Sequence, residues 1–208
     1  MPVPLYRRGD DRLLDDQACN GLRLWADHFE RLLVPVIVED GDPPGSWVAL
    51  DRIGPALDRI EFLHLPSAWR PDRFLRALGP TRQSVRDALA RADFVGTTLG
   101  GASFGDWGAV IAREARKMGL PFYVWTDRVE PDLIRHSAQS ARFLRRIRIA
   151  FEYPVMCWME RRLIAEADLG LFHGRETYEA YAPASKNPQL VHDIHLRKSD
   201  HIRPDALA

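Results

Sequence analysis

Cysteine is scarce in this chain: Cys19 and Cys157 are the only two in 208 residues, too few for a disulfide framework or a zinc site. Net charge is missing too. The 29 basic and 29 acidic side chains cancel, so no whole-molecule field recruits nucleic acid or an anionic membrane, and only a local patch of charge can matter. No run reaches the ~18 consecutive apolar residues that a bilayer-spanning helix needs. The first residues also lack the basic-then-apolar order of a secretory signal, and these absences together predict a cytoplasmic location. Internal repeats and low-complexity tracts are absent, which excludes solenoids and long linkers. Neither a GxGxxG fingerprint nor a Gly-Lys-Ser/Thr phosphate loop occurs. Against these gaps stands a hydrophobic content of 46%, ample for a sizeable core.

The stretch from Ala92 to Thr126 carries the clearest pattern. An apolar run, ADFVG, precedes a glycine-rich turn, an amphipathic segment and a second apolar run, FYVWT. Trp107, Val110, Ile111, Ala115 and Met118 recur at helical steps, which predicts one apolar face with Arg113, Glu114, Arg116 and Lys117 turned to water. Ser103 followed by Asp106 has the spacing of a capping box, and Gly119 with Pro121 beyond it marks the stop. Strands over Asp93 to Thr97 and Phe122 to Thr126 then flank the helix. This is a βαβ unit, whose two parallel strands are expected to be buried on both faces.

Upstream, a short strand is expected at Val3 to Tyr6 and a charged loop through Gly9 and Asp16. A helix over Asn20 to Arg31 aligns Leu22, Trp25, Phe29 and Leu32, and Leu33 to Val38 reads as a strand in which Pro35 argues for an edge or a bulge. Further strands are expected at Trp47 to Leu50 and Ile60 to Leu65, and a helix at Thr81 to Arg91 after a break at Gly79-Pro80. Beyond Thr126, a turn through Asp127 to Pro131 leads into a long helical stretch reaching about Ala167, bent near Pro154 because proline cannot donate to the helical ladder. A strand at Leu169 to Phe172, a turn at His173-Gly174-Arg175, a short helix near Glu176 to Tyr181 and a strand at Leu190 to Ile194 complete the series. The alternation predicts one α/β domain over residues 1–208: a Rossmann-like, doubly wound, mostly parallel sheet of about six or seven strands with helices on both faces.

In open α/β sheets ligands lie outside the carboxyl ends of the strands, which selects the candidate residues. The turn Gly100, Gly101, Ala102, Ser103, Phe104, Gly105 offers backbone N–H groups at a helix N-terminus to an anion or a hydroxyl, although a tight turn alone would use the same glycines. Asp127 and Arg128 follow a strand end, where a carboxylate can accept a substrate hydroxyl proton; a helix cap or a surface pair is the plain alternative. His173-Gly174 holds the same place after the next strand, and an imidazole suits a sugar or phosphate near neutral pH, whereas a lone histidine is as readily structural. His192, Asp193 and His195 do not converge at strand periodicity, so no metal is expected. The basic run Arg142, Arg145, Arg146 and Arg148, interleaved with Phe143, Leu144, Ile147 and Ile149, reads first as the solvated face of a helix packed on the sheet. Peripheral contact with anionic lipid, or with a phosphate-bearing substrate, is the alternative.

From Ala92 to Ile194 the phrases ADFVG, FGDWGAVIAREARKMGLPFYVWTDRVE, RRLIAEADLGLFHGRETYEAYA and LVHDIHL resemble the N-terminal, acceptor-side domain of retaining glycosyltransferases of the GT-B fold, family 4, the glycosyl transferases group 1. About half of the chain carries the likeness. The helix Gln17 to Arg31 looks like the first helix of that domain, with Asn20-Gly21 facing the interdomain cleft. Enzymes of this kind bind the acceptor on the first domain and the nucleotide-sugar on the second, and transfer a hexose between them without a metal. The resemblance implies catalytic roles for Asp127 and His173, and places Asn20, Gly21, Gly100, Gly101, Asp106, Arg128, Gly174 and Arg175 beside the acceptor, with His195 near the domain junction. The partner it implies is a saccharide or lipid-linked acceptor, with no nucleic acid. No cofactor is expected on this domain, and a nucleotide-sugar only where a second domain is present. That donor domain, with its paired-glutamate motif, would begin about where this sequence stops, so the expectation is a truncated acceptor half, inactive alone. A stand-alone, non-catalytic Rossmann-like binding module is the competing expectation.

Overall fold

The computed structural model describes residues 3–100, 104–138 and 143–192, apart from the side chains of residues 137, 144 and 145. The chain opens with a hairpin. β1 (Leu5–Arg8) and β2 (Asp11–Asp15) pair antiparallel with Arg8 opposite Asp11, and Gly9 turns between them with a left-handed φ of 62° that glycine adopts without a Cβ clash. A charged loop was expected here. Asp11 and Arg12 point to water while Leu13 and Leu14 are buried, so the polar half of the strand masked it.

α1 (Asp16–Ala26) follows at once, earlier and shorter than the expected helix, because the Asp15 carboxylate caps it by accepting the N–H groups of Gln17 and Ala18. β3 (Leu32–Asp40), β4 (Trp47–Ala49), a 3-10 segment (Leu50–Arg59) and β5 (Ile60–Pro66) complete a mixed sheet of order β4-β2-β1-β3-β5. Pro35 is tolerated because β3 is flanked on both sides only at its carboxyl end: the β1–β3 ladder spans Val38 to Asp40.

α2 (Pro71–Leu89) runs unbroken through Gly79 and Pro80, where a break was expected. A proline inside a helix costs about 3 kcal/mol. Both flanks are anchored in one core, Phe74, Ala77 and Leu78 before it and Val85 and Leu89 after it, so packing overrides the local preference.

The second sheet holds β6 (Val95–Thr98), β7 (Phe122–Thr126), β8 (Leu169–His173) and β9 (Pro188–Val191), all parallel and in that order. Its crossovers are α3 (Trp107–Lys117), α4 (Glu130–Ser137) with α5 (Phe143–Glu166), and α6 (Gly174–Tyr181). Pro154 lies inside α5. Right-handed crossovers that always step the same way leave their helices on one face, and α3 and α5 touch there. The other face is thinner. Along β7, Phe122, Val124 and Thr126 are buried but Tyr123 and Trp125 only half so, which corrects the expectation of strands buried on both sides. Tyr123 lies across Gly96 of β6, where a Cβ would meet its hydroxyl at 2.1 Å, and its ring stacks on Trp25 of α1 at 6.2 Å. Burial pushes the Tyr123 phenol up to about 12.

In place of the expected single sheet of about six or seven strands, the described residues form nine strands in two sheets. Among the described residues no ladder joins β5 to β6. α2 bridges them, the Trp107 indole donates to the Pro66 carbonyl at 2.8 Å, and Leu65, Val85, Val95, Trp107 and Val124 share one core. A separate core of Leu5, Leu14, Cys19, Leu22, Val36 and Ile53 supports the first sheet. Neither parallel run reverses its order, and a doubly wound sheet needs such a reversal.

α3 departs from its expected orientation in two places. Met118, expected inside, is 39% exposed, whereas Glu114, expected in water, is 1% exposed. Arg82, Arg86 and Lys117 close around that carboxylate at 2.9, 2.6 and 2.9 Å. Burial alone would raise its pKa, yet hydrogen bonds from Lys117, Arg86 and Arg82 hold it down at about 2.

Candidate functional site

Register decides which candidates meet. Thr98 lies beside Trp125 and Thr126 beside Phe172, so the residues that follow emerge along one edge of the second sheet, at strand spacings of about 4.8 Å. Gly100, Asp127 with Arg128, and His173 with Gly174 and Arg175 share this edge. Gly101, Ser103, Arg142, Asp193 and His195 lie outside the described residues.

At the first of these strand ends, Asp106 is itself the N-cap of α3, a role the sequence pattern had given to Ser103. Its Oδ1 accepts the Ala109 N–H at 3.0 Å and its Oδ2 the Gly100 N–H at 2.9 Å. Both oxygens thus hold backbone, and the residue is buried. Gly108, which sequence reasoning passed over, lets α3 start hard against β6: a Cβ there would lie 2.0 Å from the Thr98 carbonyl oxygen.

At the next strand end Asp127 and Arg128 stand in water, their side chains 60% and 57% exposed. Arg128 reaches back to Glu130 at 2.6 Å and to Asp127 at 3.8 Å, and the Thr126 hydroxyl donates to the Arg128 carbonyl at 2.8 Å. Glu130, the first residue of α4, is the most sheltered carboxylate of the three-residue group and was missed because an acid at a helix start is ordinary capping chemistry.

Past β8 the expected turn is absent. His173 ends the strand and occupies the N-cap position of α6 without a side-chain capping bond, and Gly174 makes the join with a φ of 78°. The N–H groups of the first turn of α6 therefore face the same edge. Arg175 is exposed and lies 4.0 Å from Glu179.

Asn20 and Gly21 fall elsewhere. They belong to α1, and the Asn20 side-chain amide oxygen accepts from Arg23 at 2.8 Å. With Asp16, Arg23 and Arg52, Asn20 lines a shallow hollow of about 330 Å³ between α1 and the 3-10 segment. The neighbouring Cys19 thiol, buried, is pushed up to about 11 by burial and then by the charge of Asp16.

Trp69 is a third residue the sequence did not single out. It follows the carboxyl end of β5, is 60% exposed, and covers Gly105, where a Cβ would lie 2.5 Å from its ring. A tryptophan in the polar phrase PSAWRP directly after an apolar strand was the available signal. Among the described residues no group of His, Cys, Asp and Glu is placed to hold a metal ion.

The edge thus offers a wet carboxylate, a guanidinium, an imidazole and helix-terminal N–H groups, a set suited to hydrogen-bonding a polyhydroxylated or anionic ligand. No protein-family model matches this chain, and no curated protein matches it.

Proposed function

We propose that this chain is the acceptor-side domain of a GT-B retaining glycosyltransferase of family 4, a Rossmann-like domain acting in the cytoplasm. It would present a hydroxyl of a saccharide or lipid-linked acceptor to a nucleotide-sugar held on a second domain, without a metal. The observation that carries the reading is the alignment of three candidate loops at the carboxyl ends of three adjacent parallel strands. Asp127 accepts the hydrogen bond of the reacting hydroxyl, and His173 holds a neighbouring hydroxyl. Arg128, braced by Glu130, and the N–H groups behind Gly174 orient the sugar.

One wall leaves much of a ligand wet, so the chain should bind free saccharides weakly, on the order of millimolar. Titration calorimetry with uridine, guanosine and adenosine diphosphate sugars should show no saturable heat. In an enzyme carrying both domains, Asp127→Ala and His173→Ala should each lower sugar transfer more than about tenfold with the melting temperature unchanged. Tight nucleotide binding by the chain alone, or stability lost in step with activity, would overturn the reading.

A stand-alone binding module without catalysis is the second reading, and the exposure of Asp127 favours it. A carboxylate so wet, with an arginine 3.8 Å away, is poorly set as a base. That reading requires a small anionic or polyhydroxylated ligand to saturate the chain by itself.

A further inference from the structure

The outward face of α5 is apolar for four turns. Phe143, Ile147, Phe151, Val155 and Trp158 recur at steps of four, four, four and three, and are 73%, 41%, 75%, 53% and 60% exposed. Ala150 and Pro154 are exposed between them. At 1.5 Å per residue the stripe is about 22 Å long. Its two phenylalanines and one tryptophan bring its area to several hundred Å², where an apolar patch marks a contact surface. Packing on the sheet does not account for it. Ile149, Met156, Leu163 and Ile164 already form the buried stripe of the same helix, so these five residues form a second stripe on the opposite side.

Charge indicates what covers that stripe. Arg146 and Arg148 flank its first half, and Arg161 and Arg162 stand at its end. Arg148 is paired with Glu152 at 2.7 Å, and Arg162 with Glu166 at 3.1 Å while lying 5.3 Å over the Trp158 ring. Arg146 and Arg161 have no carboxylate in reach among the described residues, and at 100° per residue the arc from Phe143 to Val155 contains no Asp or Glu. A second copy of this face would set arginines against arginines. An anionic bilayer satisfies both features, giving the stripe an acyl boundary and the arginines phosphates.

The geometry points to α5 as a peripheral membrane-binding helix that lies in the surface of an anionic bilayer. Phe143, Ile147, Phe151, Val155 and Trp158 sit at the boundary between headgroups and acyl chains, and Arg146 and Arg161 engage lipid phosphates. No helix among the described residues is long and apolar enough to cross a membrane, so the contact is interfacial. Arg146 and Arg148 of the basic run flank this face, whereas Arg142 and the Arg145 side chain are outside the described set. The inference is independent of glycosyl transfer, because α5's outward face is separate from the strand edge.

Co-sedimentation with vesicles tests it, comparing phosphatidylcholine alone with mixtures carrying about 30% phosphatidylglycerol. The chain should bind the anionic vesicles and leave the neutral ones. Phe151→Asp should weaken binding more than about tenfold by removing a buried ring, and Arg146→Gln with Arg161→Gln by about tenfold. Both variants should keep the wild-type melting temperature, because the altered side chains are exposed. Absence of binding to anionic vesicles at low salt overturns the inference. So does binding that ignores lipid charge, survives Phe151→Asp, or gives way to a dimer in light scattering that Phe151→Asp dissolves.

Discussion

α3 and α5 touch on one face of the same sheet and treat their surfaces in opposite ways. α3 buries Trp107, Val110, Ile111 and Ala115, and it buries Glu114 as well; α5 leaves five large apolar side chains in water. α3 carries one apolar face, whereas α5 carries two on opposite sides. The difference lies in their neighbours, since α3 is gripped between α2 and α5 and has few directions left that face solvent. Helical periodicity therefore says that a helix has faces, and the surrounding elements decide which of them become interior.

Removing the buried charge tests the contrast most severely. Glu114→Ala leaves three cations without their shared carboxylate and should cost about 3 kcal/mol, read from the shift of a urea midpoint. A cost below about 1 kcal/mol would show that Glu114 behaves as an ordinary surface acid, and the contrast would collapse.

Acid sharpens it next. The Glu114 pKa, about 2 when folded, lies below the ordinary glutamate value of 4.5, so its stabilisation is complete above pH 4.5 and disappears as the pH falls towards about 2. Compared with Glu114→Gln, the wild type should be more stable by up to about 3 kcal/mol near pH 6, and that difference should shrink to almost nothing by about pH 2. A difference that does not change with pH would place the effect in packing.

The smallest effect belongs to α5. Phe151→Ser should alter stability by no more than about 0.5 kcal/mol, because its ring is three-quarters exposed. A loss approaching the 3 to 5 kcal/mol of a core phenylalanine would mean that the stripe is covered in the folded chain.

What the sequence disclosed depended on the range of the interactions involved. β7 falls where the apolar run FYVWT placed it, and α3 keeps its buried stripe, because strand, helix and turn signals there are contiguous. The β1–β2 hairpin was hidden since the first half of β2, Asp11 and Arg12, is polar and exposed. The fate of Glu114 depended on Arg82 and Arg86, which are 32 and 28 residues away. The unbroken α2 likewise needed core partners on both sides of Pro80. For the site, the strand-end rule located Asp127 and His173 at a common edge, but nothing local showed that the helix carrying Asn20 would pack beside the 3-10 segment instead. The need for glycine at position 108 arises from the Thr98 carbonyl, an atom of a different element.

The order of the second sheet has a consequence for how the chain is made. β6, β7, β8 and β9 lie side by side in the sequence in which they are synthesised, so each strand leaving a ribosome finds its partner already in place. A sheet whose order reverses must hold an edge open for a strand that arrives later, and an open edge invites pairing with other chains. Here each new strand adds at one advancing margin, and its crossover helix is encoded between it and the strand before. In the first sheet, β4 instead returns to pair with β2 across α1 and β3. There the free edge of β2 stays open while β3 pairs with β1 instead.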